Sequence, residues 1–584
     1  MTLRHPTVIL DDATPGAERL LRFARPRAVI RADRPKDAVP ALVRIQAALA
    51  QGRHVAGWFG YELGTVLEPH LAPLVRPSGP LLWFGVFDAP EAIARTDLAP
   101  AGRAYAGPLR HEWDAGAYRA RFTRVHDYIG AGDIYQANLS FRSRFAFAGD
   151  PLALYLSLRD RAQAAHGAYI DDGERYILSL SPEQFFAVTP SGHITAKPMK
   201  GTAPRGRDEL SDARAKAALA ASPKDRAENL MIVDLVRNDI GRLALIGSVA
   251  VKDLFAVETY PTLHTMVSTV TAQLKPATRV EQIVRALFPC GSITGAPKIR
   301  AMEIIGELEV SPRGLYCGAI GMFAPDGSAA FNVAIRTITI QEGQGTLGIG
   351  GAVVQDSTAA SEYAECLLKA RYFESVRKPL QLIETLRWED GFVRRDAHLA
   401  RMEHSAAVFA LPFDHARAEA ALDAAVAPAR EPLRVRLTLD ELGAFACTTA
   451  PLGPPQARWT YAVSPHRVQS GDLLLRHKTN WRELYDGEAA RLGADEALFV
   501  NERGELTEGG RSNLFLRRGG TLLTPLLSSG LLDGILRQEL LDTGACTEAV
   551  LTPADLEAAD EVLFGNSLRG LIPAVAATAR RAVS

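Results

Sequence analysis

A helical pattern closes at Arg377, Lys378 and Pro379 follow, and from Leu380 the alternation of a new strand begins. Proline just beyond a helix end prevents its continuation, so the chain restarts there. Its 584 residues also exceed what one hydrophobic core organises. Two domains are expected, residues 1–379 and 380–584, and no internal repeat relates them. Lys plus Arg (66) nearly cancel Asp plus Glu (67), so no general field recruits nucleic acid or an anionic membrane; small molecules or proteins are the expected partners. Cys290, Cys317, Cys366, Cys447 and Cys546 lie far apart without a C-x-x-C pair, which argues against a zinc module or a disulfide framework and fits a reducing cytoplasm. No apolar run is long enough for a signal peptide or a membrane span.

The first 110 residues read as a sheet without chemistry of its own, and 113–129 as a helix. Chemistry centres on I-T-A-K-P-M-K-G-T-A-P at 194–204. Alternation through His193, Ile194, Thr195 and Ala196 predicts a short strand, Pro198 ends regular pairing, and Gly201 permits a tight turn directly after Lys200. An amine there, desolvated or beside another cation, becomes a usable nucleophile; a surface lysine before a turn is the plainer reading. Residues 177–188 read as a strand pair with Glu183 among Leu178, Leu180, Phe185 and Phe186, either a proton donor of raised pKa or an exposed turn glutamate.

From Ser222 a helix is expected, with Ser222 as N-cap, Pro223 at the first position, and Glu228 on an apolar face with Met231, Ile232 and Leu235. A charge so placed needs a partner, an arginine or a metal. Glu365 lies on a helix over 359–376, sharing its face with Glu362, Leu368 and Lys369. Two carboxylates without a His/Cys cluster suit Mg2+ held against an anionic substrate. G-S-I-T-G-A-P-K at 291–298 reads as a strand-to-helix turn with Pro297 in the first helical position. Residues 315–322 and 330–340 are expected to form a hairpin around Pro325, Asp326 and Gly327 with Arg336 inside its second strand, and the glycines at 348–351 to let backbone approach a ligand.

In the second domain, 396–409 and the Ala-rich 418–429 read as helices, and 433–439 as a strand alternating Arg434 and Arg436 with apolar residues. Lys478 falls just past a strand, Glu508 opens E-G-G-R-S-N, and L-L-D-G-I-L-R at 531–537 is a glycine-bearing turn into a helix that can seat a phosphate. A lysine, a remote glutamate, an arginine and such a helix start are the parts a pyridoxal phosphate enzyme requires.

In order along the chain stand S-P-E-Q-F (181–185), P-M-K-G-T (198–202), A-E-N-L-M-I-V-D-L-V-R-N-D (227–239), Y-P-T-L-H (260–264), T-G-A-P-K (294–298), L-Y-C-G-A-I-G (315–321) and A-I-R-T (334–337). Over 113–377 the chain therefore resembles the chorismate-utilising enzymes, the family of anthranilate synthase and aminodeoxychorismate synthase component I. Anthranilate synthases carry a small residue, usually alanine, at the position of Lys200, and aminodeoxychorismate synthases carry lysine. The resemblance implies that Lys200 attacks ring C2 of chorismate, that Glu183 protonates the departing C4 hydroxyl, and that Glu228 and Glu365 bind Mg2+. It places His264, Thr294, Tyr316, Arg336, Gly350, Gly351, Ala352 and Lys369 against the substrate. Ala352 departs from the family's usual glycine, and the short N-terminal portion makes a regulatory tryptophan unexpected.

H-L-A-R-M (398–402), H-K-T-N (477–480), T-E-G-G-R-S-N-L-F (507–515), D-G-I-L-R (533–537) and G-N-S-L-R-G (565–570) resemble the class IV pyridoxal phosphate enzymes, which include aminotransferases and 4-amino-4-deoxychorismate lyase, with the family's first strand missing before Leu380. By that resemblance Lys478 holds the cofactor as a Schiff base and takes the C4 proton, and Glu508 pairs with the pyridine nitrogen. Arg401 with the backbone of Ile535 and Leu536 binds phosphate, and Asn513, Asn566 and Ser567 line the site. The fold implied is α+β: antiparallel sheets flanked by helices, then a class IV α+β domain. The fusion implies two successive steps from chorismate to 4-aminobenzoate, toward folate, in the cytoplasm. Ammonia comes from solution or from a separate glutamine amidotransferase, since nothing in the chain resembles a glutaminase, and class IV enzymes are commonly homodimers. Three rivals stand beside this: a synthase fused to a D-amino acid or branched-chain aminotransferase, an anthranilate synthase component I fused to an aminotransferase, and a cofactor-free C-terminal docking module.

Overall fold

The computed structural model describes residues 5–74, 76, 79–260, 263–427, 429–454 and 456–577; Pro261 and Thr262 of the Y-P-T-L-H motif lie outside the described residues. The architecture is α+β and falls into two compact units. The first comprises the described residues of Met1–Leu98, Leu109–Phe145 and Tyr155–Val376, the second those of Ala99–Pro108, Ala146–Leu154 and Arg377–Ser584. The single cut expected between 379 and 380 differs from this, because two short early segments belong to the second unit. Packing accounts for them: Tyr105 meets Phe409 edge-on at 5.3 Å, and Tyr105 and Ala148 share a core with Leu382, Met402 and Leu437. No local pattern announces such a contact. Among the described residues no helix is long and apolar enough to cross a membrane.

The first unit is built on two antiparallel sheets. Val8, Phe23, Ile170 and Ile177 of one meet Trp58, Trp83, Phe87 and Ile320 of the other in a shared core. The outer face of the second sheet is covered by the helices Pro35–Ala50, Pro223–Gly241, Val280–Leu287 and Lys298–Leu308 over Phe59, Phe84, Phe186 and Phe331. On the outer face of the first sheet lies Ala359–Glu374, where the Phe373 ring packs, tilted by 44°, with its centre 4.5 Å from that of Phe145. The helix Pro223–Gly241 begins as its sequence implies: the Ser222 hydroxyl accepts from the Asp225 amide at 3.3 Å.

Two expectations about strands are corrected. Tyr176–Ser181 and Gln184–Val188 do not pair with each other; the first pairs with His166–Asp171 and Thr337–Gln341, the second with His193–Ala196 and Ala329–Val333 in the other sheet. The hairpin partner of Ala319–Phe323 likewise ends at Val333, and Thr337–Gln341 is a separate strand of the first sheet. Alternation reveals which face a residue takes, not which sheet it joins, so each crossover reads as continuous strand. The two crossovers lie side by side. Val333 N–H donates to Glu183 carbonyl at 3.1 Å, Leu180 N–H to Arg336 carbonyl at 3.0 Å, and the Ser181 hydroxyl to Val333 carbonyl at 2.6 Å.

In the second unit, Gln381–Trp388, Leu433–Asp440 and Phe445–Pro451 form a three-stranded antiparallel sheet backed by Arg395–Val408 and His415–Val426. An eight-stranded mixed sheet follows, in which Trp459–Val468 runs parallel to both of its neighbours. Leu473–Arg476, expected as a strand, is a short 3-10 turn, because the Asp472 carboxylate accepts from the Leu474 amide at 3.0 Å and winds the chain.

Candidate active sites

Lys200 was expected on a turn beyond a strand; it lies instead within Met199–Pro204, at an irregularity where pairing with Leu263–Gln273 slips between Met199 and Thr202. Such a bulge re-aims one side chain. Gly201 sits there at φ +85°, and a Cβ on it would come within 2.9 Å of the Asp225 side chain, so glycine is required on both counts. Burial lowers the Lys200 amine; Glu228, Glu183 and Glu365 act against that shift and Lys369 with it. These five groups, drawn from four segments of sequence, therefore share one site.

Glu183 is only 4% exposed, at the crossover between the two sheets. Burial pushes its carboxyl up to about 7, against the pull of the Ser292 hydroxyl, which donates to Oε1 at 2.7 Å, of Lys200, and of the Met199 amide. Glu228 is raised by burial and lies 4.0 Å from Lys224. Glu365 keeps half its side chain exposed, with Lys369 Nζ 2.8 Å away; although burial opposes it, the Lys369 ammonium holds this carboxyl below its usual range. Lys369 also donates to Gly350 carbonyl at 2.9 Å. Glu362, not singled out from sequence, is buried, accepts from Ser357 at 2.7 Å and is raised by burial. Among the described residues no group of three or more His, Cys, Asp or Glu is arranged to hold a metal ion. Glu228 and Glu365, which both act on Lys200, are donors of the kind an ion that keeps most of its water would use, rather than parts of an all-protein cage.

The strand Gln344–Val353 brings backbone to this site. A Cβ at Gly350 would strike Ser140 Cβ at 2.5 Å and Leu139 carbonyl at 2.6 Å, whereas one at Gly351 would stand 3.3 Å from Glu362 Oε2 and 3.6 Å from Lys369 Nζ. Ala352, on the same strand, is partly exposed. Tyr316 is buried with its ring against Gly348, where any Cβ would meet it at 2.2 Å.

Arg336 lies at the second of the two neighbouring crossovers. It adopts φ +48°, a left-handed backbone that costs a non-glycine residue free energy, and its guanidinium is lowered by burial with only the Tyr372 phenol acting against that. The buried Tyr372 hydroxyl has no hydrogen-bond partner among the described residues. Two other expected contacts are committed elsewhere. His264 is held between Asp212 (2.9 Å) and Thr259 (3.0 Å), and the Thr294 hydroxyl donates to Cys290 and Gly291 carbonyls at 3.2 Å. Pro297 caps the helix Lys298–Leu308 from outside rather than occupying its first position.

In the second unit a cavity of about 710 Å3 is lined by Arg401, Lys478, Glu508, Asn513, Ile535, Asn566 and Ser567, so the sequence-predicted cofactor residues converge; Leu536 is buried at the start of the adjoining helix Ile535–Asp542. Burial lowers the Lys478 amine to about 8, with Arg401, Arg482 and Arg436 adding to this and Glu384 opposing. Glu508 accepts from Tyr485 at 3.0 Å and from the Leu532 amide at 3.1 Å, and burial pushes it up to about 7. Asn513 donates to Leu532 carbonyl at 2.9 Å, and Gly534 has no room for a Cβ, which would sit 1.8 Å from Asn513 Oδ1. Asn566 caps its own turn, accepting from Leu568 and Arg569.

Arg401 is held by a residue that sequence reading passed over. The Glu384 carboxylate, 1% exposed, accepts from Arg401 Nε at 2.9 Å, Arg401 Nη2 at 2.7 Å and His398 Nδ1 at 2.7 Å, and His398 Nε2 pairs with Ser567 at 2.8 Å. Although its own burial opposes this, the neighbouring Arg401 and His398 hold Glu384 far below the carboxylate range. The signal was present: Glu384 shares its strand face with Leu382 and Leu386, and a charge there demands a partner. Arg401 Nη1 donates to Asp533 carbonyl at 2.9 Å, which leaves two of its five N–H groups for a phosphate beside the helix start. A depressed amine, a buried carboxyl near 7 and these phosphate donors suit pyridoxal phosphate.

Residues 5–375 match the family described as chorismate binding enzyme, and residues 381–577 match amino-transferase class IV. The chain is 43% identical over 309 residues to aminodeoxychorismate synthase component 1 of Klebsiella aerogenes, covering 53% of this chain and 65% of that protein. It is 44% identical over 280 residues to aminodeoxychorismate synthase component 1 of Escherichia coli (strain K12), covering 47% of this chain and 60% of the relative. The chain thus spans less than two thirds of either relative. The crystal structure of anthranilate synthase component I from Streptococcus pneumoniae TIGR4 shares the fold, with a TM-score of 0.51 and 23% identity over 64% of this chain and 93% of that one.

Proposed function

Because the chain belongs to the chorismate binding enzyme family, with a class IV aminotransferase region after it, we propose that it converts chorismate to 4-amino-4-deoxychorismate and then to 4-aminobenzoate and pyruvate. The observation that carries the reading is a half-buried lysine with a depressed amine in the same site as a buried carboxyl that titrates near 7. Lys200 attacks ring C2 while the C4–O bond breaks, and Glu183 delivers its proton so that water departs. Ammonia then bonds to C4, the bond between C2 and the Lys200 nitrogen breaks, and the amine is restored. Glu228 and Glu365 would hold Mg2+, which would neutralise the substrate's ring carboxylate. Gly351 lets the substrate approach backbone, and Arg336, with no acidic partner among the described residues, is suited to a carboxylate.

In the second unit, pyridoxal phosphate would supply an electron sink joined to the substrate nitrogen, held by Lys478, Glu508, Asn513, Arg401 and the backbone of Ile535 and Leu536, with Asn566 and Ser567 lining the site. The Lys478 amine, lowered to about 8, takes the C4 proton. The electrons left behind close the aromatic ring as the C3–O bond breaks and enolpyruvate leaves. Ammonia is drawn from solution or from a glutamine amidotransferase partner, and a homodimer through the second unit is the assembly the resemblance implies. The setting we infer is a reducing cytoplasm, on five cysteines that are all unpaired.

Incubation of the purified chain with chorismate, an ammonium salt, Mg2+ and pyridoxal phosphate, followed by chromatography, tests this. Equal amounts of 4-aminobenzoate and pyruvate are expected. Accumulated 4-amino-4-deoxychorismate would leave the second unit a transaminase or an inert module, anthranilate would overturn the role of Lys200, and glutamine-dependent turnover by the chain alone would remove the need for a partner.

A further inference from the structure

The cavity holding Lys478 is strongly cationic, and its arginines are not equivalent. Arg103 is bound to Asp472 at 2.6 Å, Arg401 to Glu384, and Arg482 to Asp486 at 3.3 Å. Arg434 and Arg436 also line the cavity, yet neither has a carboxylate or hydrogen-bond partner for its guanidinium among the described residues. Their strand, Leu433–Asp440, explains the direction they take. Val435, Leu437 and Leu439 are buried under the helices, so Arg434 and Arg436, one residue out of phase, share the opposite face. Register sets Arg436 against Thr385 and Arg434 against Arg387 on the neighbouring strand, and Thr385 lines the same cavity. Arg436 is also close enough to influence the Lys478 amine. This strand thus contributes two exposed guanidinium groups to the cavity lining, where a pocket for a branched aliphatic side chain needs apolar surface.

We propose that Arg434 and Arg436 are specificity-determining residues that receive the carboxylate an aromatic or cyclohexadienyl amine carries on the far side of its ring. Arginine suits this because its fork of N–H donors matches a carboxylate bidentately. The phosphate of the cofactor has its own donors, since Arg401 is bound to Asp533 carbonyl beside the helix start at Ile535. The inference rests on the reading that this unit acts on 4-amino-4-deoxychorismate, whose ring carboxylate lies opposite the amine and survives in 4-aminobenzoate. It separates that class of substrate from apolar amino acids, whose one carboxylate sits on the carbon that bears the amine and not across the molecule from it.

The test uses the full chain loaded with pyridoxal phosphate, with loading confirmed by absorbance. Calorimetric titration with 4-aminobenzoate is compared for the parent, the double variant Arg434→Met/Arg436→Met, and Arg436→Lys. At least tenfold weaker binding is expected for the double variant, with partial retention in Arg436→Lys. The KM for 4-amino-4-deoxychorismate should rise by a similar factor, with kcat changed less than threefold. Should the double variant not fold, Arg436→Gln is read in the same titration, with at least threefold weakening expected. Parent-like affinity in a fully loaded variant overturns the proposal. If the parent binds 4-aminobenzoate through these arginines but releases no pyruvate from 4-amino-4-deoxychorismate, the lyase reading fails and the carboxylate site stands.

Discussion

Replacing Glu183 by glutamine keeps the side chain's shape and an oxygen that can accept from Ser292, but removes the proton it donates. The structure sets the size of two opposing effects. Glu183 rises from the usual 4.5 to about 7 because burial penalises its charged form. Its folded-state pKa is therefore raised: the contribution to stability is full below about 4.5 and is lost as pH climbs through about 7. At roughly 1.4 kcal/mol per pH unit, that interval amounts to about 3 kcal/mol, an order-of-magnitude figure, which the parent loses between pH 5 and 8 and Glu183→Gln does not. Relative to the parent, the variant should gain stability on passing from pH 5 to pH 8, seen as a rising difference in Tm of the transition assigned to the first unit. Its turnover of chorismate should fall by about 100-fold to 10,000-fold, the usual contribution of a positioned general acid. A Tm difference that stays flat across that range would refute the burial argument, and near-normal turnover would refute the acid role.

Four further outcomes follow from packing and charge. Gly350→Ala forces a Cβ against Ser140 and Leu139 backbone and should destabilise the first unit by more than about 2 kcal/mol in thermal unfolding; Gly351→Ala should fold normally and raise the KM for chorismate, since its Cβ meets side-chain ends, those of Glu362, Lys369 and Cys366, and no backbone. Gly534→Ala should displace Asn513 and lower cofactor affinity at least tenfold by absorbance titration. Glu384→Gln should leave Arg401 and His398 without their shared charge, costing about 3 kcal/mol of stability in denaturant unfolding and loosening the cofactor; unchanged cofactor affinity would show that Arg401 needs no such brace.

What the amino-acid sequence determined was local. The Ser222 cap, the apolar face that carries Glu228 and the glycine after Lys200 are settled by neighbours a few residues away, so capping and periodicity expose them without a structure. The order of motifs was equally legible, and with it the family, because each motif is contiguous. Tertiary structure decided how these pieces become sites. Glu183 reads as either a proton donor or a turn glutamate within one strand pair and Arg336 as part of a hairpin strand, yet both lie where the chain leaves one sheet for the other, and alternation keeps its phase through such a crossing. Ser292 reaches Glu183 from 109 residues away, and Tyr105 enters the core beside Phe409 from the far side of the chain. The raised Glu183 and the lowered Lys200 and Lys478 are products of burial, which is the summed effect of every element packed around a group. A sequence can nominate a charged residue for such a place, but the free energy that changes its chemistry exists only once the surrounding elements have closed over it.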